Sequence, residues 1–149
     1  MIVPLTLIVG TAAARVVGIC GIDYVDSWPR ALAFGLTAMF VMTGMAHFVN
    51  PLRHDLIAIV PPRLPAPGLL VTGTGVLELV GAAGLLYPPT RVAAALCLIA
   101  LMLAMFPANI HAARMSNPPK SMSSRLGIRT CEEVVYLAVA VVVAICGGQ

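Results

Sequence analysis

LLVTGTGVLELVGAAGLLY, residues 69–87, is apolar from end to end except for one carboxylate, Glu78, near its middle. About 20 apolar residues are needed to cross the hydrocarbon core of a bilayer as a helix. A charged group at the centre of such a run costs about 2.5–3.5 kcal/mol to insert on the translocon scale, so it is a candidate functional group. Small residues, Gly73, Gly75, Gly81, Ala82 and Gly84, crowd the same run and allow helix backbones to approach in lipid. On a helix, Thr74, Gly75, Gly81 and Ala82 flank Glu78 on one face, which predicts that Glu78 points into a bundle.

Four further apolar runs surround this one. The spans are expected at about 2–22, 30–49, 67–87, 91–113 and 128–146. Composition agrees: the 149 residues are 60% hydrophobic and 10% charged, with a mean hydropathy of +0.98. Soluble domains carry about 25% charged residues. The reading is an all-α, polytopic membrane helix bundle, one transmembrane domain over residues 1–149. The net charge of +3 sits in the connections, which argues against nucleic acid as a partner. The cysteines Cys20, Cys97, Cys131 and Cys146 are scattered, form no C-x-x-C, and read as small apolar helix residues. The first run lacks a basic leader, contains Arg15 and ends in Cys-Gly-Ile-Asp, so it is expected to be a retained span. Leu56–Val60, followed by Pro61-Pro62, is too short to cross and predicts an interfacial turn of helix or a re-entrant piece.

With five spans, Arg53, Arg63, Arg114, Lys120, Arg125 and Arg129 fall on one side and Arg30 and Arg91 on the other. The positive-inside rule then places the N-terminus in the cytoplasm, across a bacterial inner membrane.

Depth along the helices groups the polar residues. His47, Asn50, Asn109, His111, Arg129, Glu132 and Glu133 are expected in one layer near the cytoplasmic ends of their spans. Glu78 is expected deeper, at about the depth of Arg15. Glu78 is either half of a structural clasp with Arg15 or a histidine, or a buried acid or base facing a ligand. His47 follows Gly44 by nearly one turn and reads as an interfacial histidine or a proton shuttle. No histidine pair shows metal-ligand spacing, and no metal site is expected. Pro107 frees a carbonyl in the fourth span, which Asn109 satisfies or a pocket uses. Glu132 and Glu133 point about 100° apart and cannot both face inward. They are expected in the first turn of the last span, where the helix dipole favours negative charge. Arg129 is spaced to pair with Glu133, and Tyr136 is spaced to join a glutamate in pointing at a ligand.

Several short stretches resemble the DoxX-like family of small bacterial membrane proteins. They are Gly44-Met45-Ala46-His47-Phe48, Val60-Pro61-Pro62 with Leu64-Pro65, Thr72-Gly73 leading to Leu77-Glu78-Leu79 and Gly81–Leu86, Met105-Phe106-Pro107-Ala108-Asn109, and Ile128-Arg129-Thr130. The resemblance covers about residues 36–146. It implies a compact four-helix membrane core with the first span as an N-terminal addition. It also carries over His47, Glu78 and Asn109 as recurring polar positions. Some DoxX-like proteins are described as subunits of quinone-linked sulfur oxidoreductases or as partners of redox enzymes. This chain departs after Arg129-Thr130, where Cys131 and Glu133 stand in place of an expected proline and glutamine. The added carboxylate suits acid–base chemistry.

Two functions are consistent with these features. In the first, the protein holds a small apolar ligand of quinone or isoprenoid type between its helices and works with a redox-enzyme partner; quinone is then the one cofactor implied. In the second, it is a stand-alone membrane enzyme, an isomerase or a proton-initiated isoprenoid or terpene cyclase. There Glu78 or Glu133 donates the proton, and His47 or Asn109 orients the substrate. A bundle whose polar groups are all paired, with no site, is the third reading.

Overall fold

The computed structural model describes residues 2–122 and 125–147. Ser123 and Ser124, inside the connection expected at 114–127, lie outside them. Among the described residues there are six α-helices, two 3-10 turns and no strand. The helices are α1 (Ile2–Ile19), α2 (Trp28–Ala46), α3 (Leu52–Ala58), α4 (Pro67–Leu86), α5 (Pro88–Arg114) and α6 (Leu126–Cys146). α1, α2, α4 and α5 are each long and apolar enough to cross a membrane. α6 is 21 residues long and carries Arg129, Glu132 and Glu133 in its N-terminal half.

The expected boundaries shift in two places, and each shift has a local cause. Residues 88–90 were expected in a connection but form the first turn of α5. Proline suits the first helical position, where its missing N–H has no intrahelical acceptor anyway. Tyr87 alone, in extended conformation, separates α4 from α5, and this forces the two helices to be antiparallel neighbours. α6 begins at Leu126 rather than near Ile128, so Glu132 and Glu133 lie beyond its first turn. The helix dipole falls off within that turn and no longer accounts for them.

α2 packs on α4, α4 on α5, α5 on α6, and α6 returns to α2. α4 and α6 therefore face each other diagonally across the interior. α1 packs along α2. α3 is the short helix expected after Asn50 and lies against the N-terminal end of α4. On α4 the buried residues are Val71, Gly75, Glu78, Gly81, Ala82 and Leu85, one stripe at helical spacing. Leu69, Val76, Leu77 and Val80 on the other faces are exposed, as a lipid-facing surface requires. The interior cluster includes Leu36, Met39 and Phe40 of α2, Ala82 and Leu85 of α4, Leu98 and Met102 of α5, and Tyr136 and Ala140 of α6.

Candidate functional site

The inward stripe of α4 brings Glu78 into the interior with 4% of its surface exposed. A Cβ on Gly75 would lie 2.5 Å from His47 Cβ. Glycine is thus what lets His47, 3% exposed at the C-terminal end of α2, lie flat on α4. His47 Nδ1 lies 2.8 Å from the Val71 carbonyl oxygen. A carbonyl only accepts, so Nδ1 carries a proton and Nε2 is the nitrogen presented to the interior. Nε2 lies 3.6 Å from Glu78 Oε1, an ion-pair distance that is too long for a direct hydrogen bond. The other carboxylate oxygen, Oε2, accepts a 2.6 Å hydrogen bond from Thr43 Oγ1. Val71, His47, Glu78 and Thr43 form a continuous polar chain between α2 and α4.

Glu78 was expected deeper than His47, yet the two meet. Helical side chains lean toward the N-terminus of their helix. In α4 that end lies beside His47, so the carboxylate hangs down to it. Arg53 of α3 steadies the same corner. It donates to the His47 carbonyl at 2.8 Å and to Thr72 Oγ1 at 3.0 Å. Thr43, Val71 and Arg53 were not singled out in the sequence. A threonine inside an apolar helix reads as bonding its own backbone, and Arg53 reads as a loop charge.

Across the interior, α6 contributes a second group of polar side chains. Tyr136 is 8% exposed, and its hydroxyl is buried without a hydrogen-bond partner among the described residues. Glu133 Oε1 is buried in the same condition. Arg129, buried one turn before Glu133, donates instead to Asn109 Oδ1 of α5 at 2.9 Å and interacts electrostatically with Glu132. Asn109 therefore turns its carbonyl oxygen to Arg129, tying α5 to α6 beside Pro107. Glu132 and Glu133 are both half-buried; Glu132 interacts with Arg129, and Oε1 of Glu133 is buried.

Three expected members stand apart. Arg15 lies at the opposite end of the molecule. Its guanidinium is 3.5 Å from Asp26 Oδ1 and stacks 5.2 Å from the centre of the Trp28 ring. The chain folds back after α1, which puts Asp26 within its reach and leaves Glu78 to His47. Asn50 is exposed in the turn before α3, and His111 is half-buried on the last turn of α5. At that opposite end Arg91, expected only as a loop charge, is 3% exposed. It donates to the Leu85 and Gly147 carbonyls and to the Tyr24 hydroxyl, pinning the ends of α4 and α6 together. No group of three or more His, Cys, Asp or Glu side chains suited to hold a metal ion occurs among the described residues.

The profile of DUF8561, a domain of unknown function, matches residues 36–144. The chain belongs to the DUF8561 family. The family segment starts inside α2 and ends inside α6, so it contains the whole polar chain and its α6 partners, while α1 lies outside it. No curated protein and no solved structure matches the chain.

Proposed function

We propose that this DUF8561 member is an integral membrane protein that binds a small apolar ligand of quinone or isoprenoid type inside its bundle. Five helices cross a bacterial inner membrane: α2, α4, α5 and α6 form the core, and α1 is added to one side. The relationship to DoxX-like proteins belongs to this reading, and so does a redox-enzyme partner.

One observation carries it. Glu133 Oε1 and Tyr136 Oη are buried polar atoms without a protein partner among the described residues, and they lie on the helix facing the His47–Glu78 pair. Buried polar atoms in a native protein are nearly always satisfied. In lipid the requirement is stricter, because water is scarce. A ligand head group held between α4 and α6 would meet that demand, and Phe40, Met39 and Met102, of the same buried cluster as Tyr136, suit an apolar body.

The same arrangement favours one alternative, a stand-alone acid–base enzyme. Glu133 would protonate an apolar substrate, and the His47–Glu78–Thr43 chain would return the proton. The test is to extract the protein with its surrounding lipid and identify small molecules that leave with it by mass spectrometry. A stoichiometric quinone or isoprenoid, lost in Tyr136→Phe and Glu133→Gln while the thermal transition is retained, supports the proposal. Absence of any such molecule in the wild type, together with no binding of added quinones or prenols, overturns it. Conversion of an added polyene by the lone protein would select the enzyme reading.

A further inference from the structure

The end of the bundle opposite the His47 corner carries a cavity of its own. Its volume is about 510 Å³, and Asp23, Asp26, Ser27, Pro29, Arg30 and Cys146 line it. Cavities of about 300–1,000 Å³ hold small ligands. The turn after α1, the first turn of α2 and the last residue of α6 build it together.

Charges of both signs line the cavity, and that restricts its occupant. Asp26 already faces the Arg15 guanidinium at 3.5 Å. Asp23 is exposed, and Arg30 Nη1 donates to the Asp23 carbonyl at 2.9 Å, which places a second guanidinium beside the same turn. A divalent cation drawn to the two carboxylates meets Arg30. A free phosphate drawn to Arg30 meets the carboxylates. Asp23 and Asp26 balance Arg15 and Arg30, so an ion of either sign gains little. A molecule that carries an ammonium and a phosphate close together pairs with both kinds of group.

The surface next to the cavity is apolar. Helical residues four apart share a face. One turn into the bundle from Arg30 lies Phe34, and one turn in from Cys146 lies Val142, and both are exposed. The same faces continue in exposed Val41 of α2 and exposed Val135 of α6, two helices that pack together. Tyr24, Trp28 and Tyr87 are also exposed at this end. Exposed tyrosine and tryptophan mark the boundary between hydrocarbon and water. The cavity therefore lies at head-group level, above a flank that suits acyl chains.

We propose that this cavity binds a phospholipid whose zwitterionic head group ends in a primary ammonium. Its phosphate pairs with Arg30, its ammonium donates to Asp23 and Asp26, and its chains run along Phe34 and Val142. A primary ammonium has N–H donors for the carboxylates, and a quaternary one has none. The site is separate from the polar chain between α2 and α4, and it depends only on the chain being embedded in a bilayer. The lipid joins the turn after α1 to the end of α6.

The test is native mass spectrometry of the full chain released from detergent micelles. Phosphatidylethanolamine, phosphatidylcholine and phosphatidylglycerol with identical chains are supplied together. Retention of phosphatidylethanolamine about three- to fivefold above each of the others is expected, as partly exposed ion pairs allow. Asp23→Asn, on the exposed turn, should lower it to the level of phosphatidylcholine. Arg30→Gln should weaken both zwitterionic lipids, and a thermal melt checks that each variant is folded. Equal retention of the three lipids by the wild type overturns the site and leaves the membrane reading standing, as does a preference for phosphatidylglycerol. Unchanged retention of phosphatidylethanolamine in folded Asp23→Asn also overturns it, and that variant decides alone if Arg30→Gln does not fold. Glycerophosphoethanolamine, the head group without chains, should not displace the lipid; displacement at equal concentration overturns the assignment to a lipid.

Discussion

Glu78 has two polar neighbours, buried His47 and half-buried Thr43, and they decide what its removal does. Glu78→Ala removes the nearer of the two Thr43 acceptors and leaves His47 Nε2 without its acid partner. Breaking a buried ion pair costs about 3–5 kcal/mol when an unpaired charge remains behind. An imidazole escapes that penalty by existing as the neutral ring, so the cost falls to that of unmet hydrogen bonds, about 1–3 kcal/mol. Glu78→Gln keeps an acceptor for Thr43 and a donor toward Nε2, and should cost less than half as much. Thr43→Val removes the 2.6 Å bond to Glu78 and a 3.4 Å bond to the Phe40 carbonyl. Side-chain hydrogen bonds in membrane proteins average about 0.6 kcal/mol. The expected order of stability in detergent melts is wild type, Thr43→Val, Glu78→Gln, Glu78→Ala. A Glu78→Ala protein as stable as the wild type would show that the pair contributes nothing to the fold. At this scale the sequence was legible where periodicity speaks. The inward face of Glu78 followed from Gly75, Gly81 and Ala82. Its clasp with a histidine was one of two alternatives, and which histidine was not legible, because depth counted along helix axes ignores the lean of side chains. Depth left Arg15 and a histidine open as partners of Glu78, because it does not say which way a side chain points; the fold-back that brings Asp26 to Arg15 is set by tertiary packing.

The helices meet where side chains are smallest, and a matched pair of glycines tests this. Both Gly73 and Gly75 lie in α4. A Cβ at Gly75 would be 2.5 Å from His47 Cβ, whereas a Cβ at Gly73 meets nothing within 4 Å. Gly75→Ala should destabilise by about 1–3 kcal/mol through overpacking and displace His47 from Val71 and Glu78. Gly73→Ala should be neutral or stabilise by up to about 1 kcal/mol, since alanine is the better helix former. Equal effects of the two substitutions in thermal melts would contradict this packing of α2 on α4. The seam between α1 and α2 follows the same rule. Gly10, Ala14 and Gly18 recur every four residues on α1, and Gly10 comes within contact of Gly35 on α2. A Cβ at Gly35 would overlap Thr11 Oγ1 and lie 2.7 Å from the Leu7 carbonyl oxygen. Gly35→Val should therefore loosen α1 selectively, exposing the α1–α2 connection to protease while the His47 corner stays protected. The apolar runs made the long helices legible; the short piece expected at 56–60 forms α3 four residues earlier, at Leu52–Ala58. Their ends were less so, since prolines 88 and 89 look like a break in sequence and act as the start of α5.

For the whole molecule the remaining question is which end faces the cytoplasm, and burial refines the charge count. Arg91 and Arg129 act inside the bundle as stitches between helices, so neither is a free loop charge. Arg63, Arg114, Lys120 and Arg125 are exposed at the end that holds the His47 corner. At the other end Arg30 donates to the Asp23 carbonyl and Arg15 faces Asp26. Loop arginine and lysine asymmetry sets orientation, and it keeps its sign once Arg91 and Arg129 are both set aside. The expected topology has the His47–Glu78 corner near the cytoplasmic leaflet and the Arg91 clasp near the outer one. The measurement starts from a variant with Cys20, Cys97, Cys131 and Cys146 replaced by alanine. Ser116→Cys, in the exposed loop after α5, should react with a membrane-impermeant maleimide only in inverted vesicles. Asp23→Cys, in the exposed turn after α1, should react in intact cells. The reverse pattern would invert the molecule and put the polar corner near the outer leaflet. Reaction of both positions from one side would mean that the helices between them do not cross, and the bundle would have to be reread as lying on the membrane.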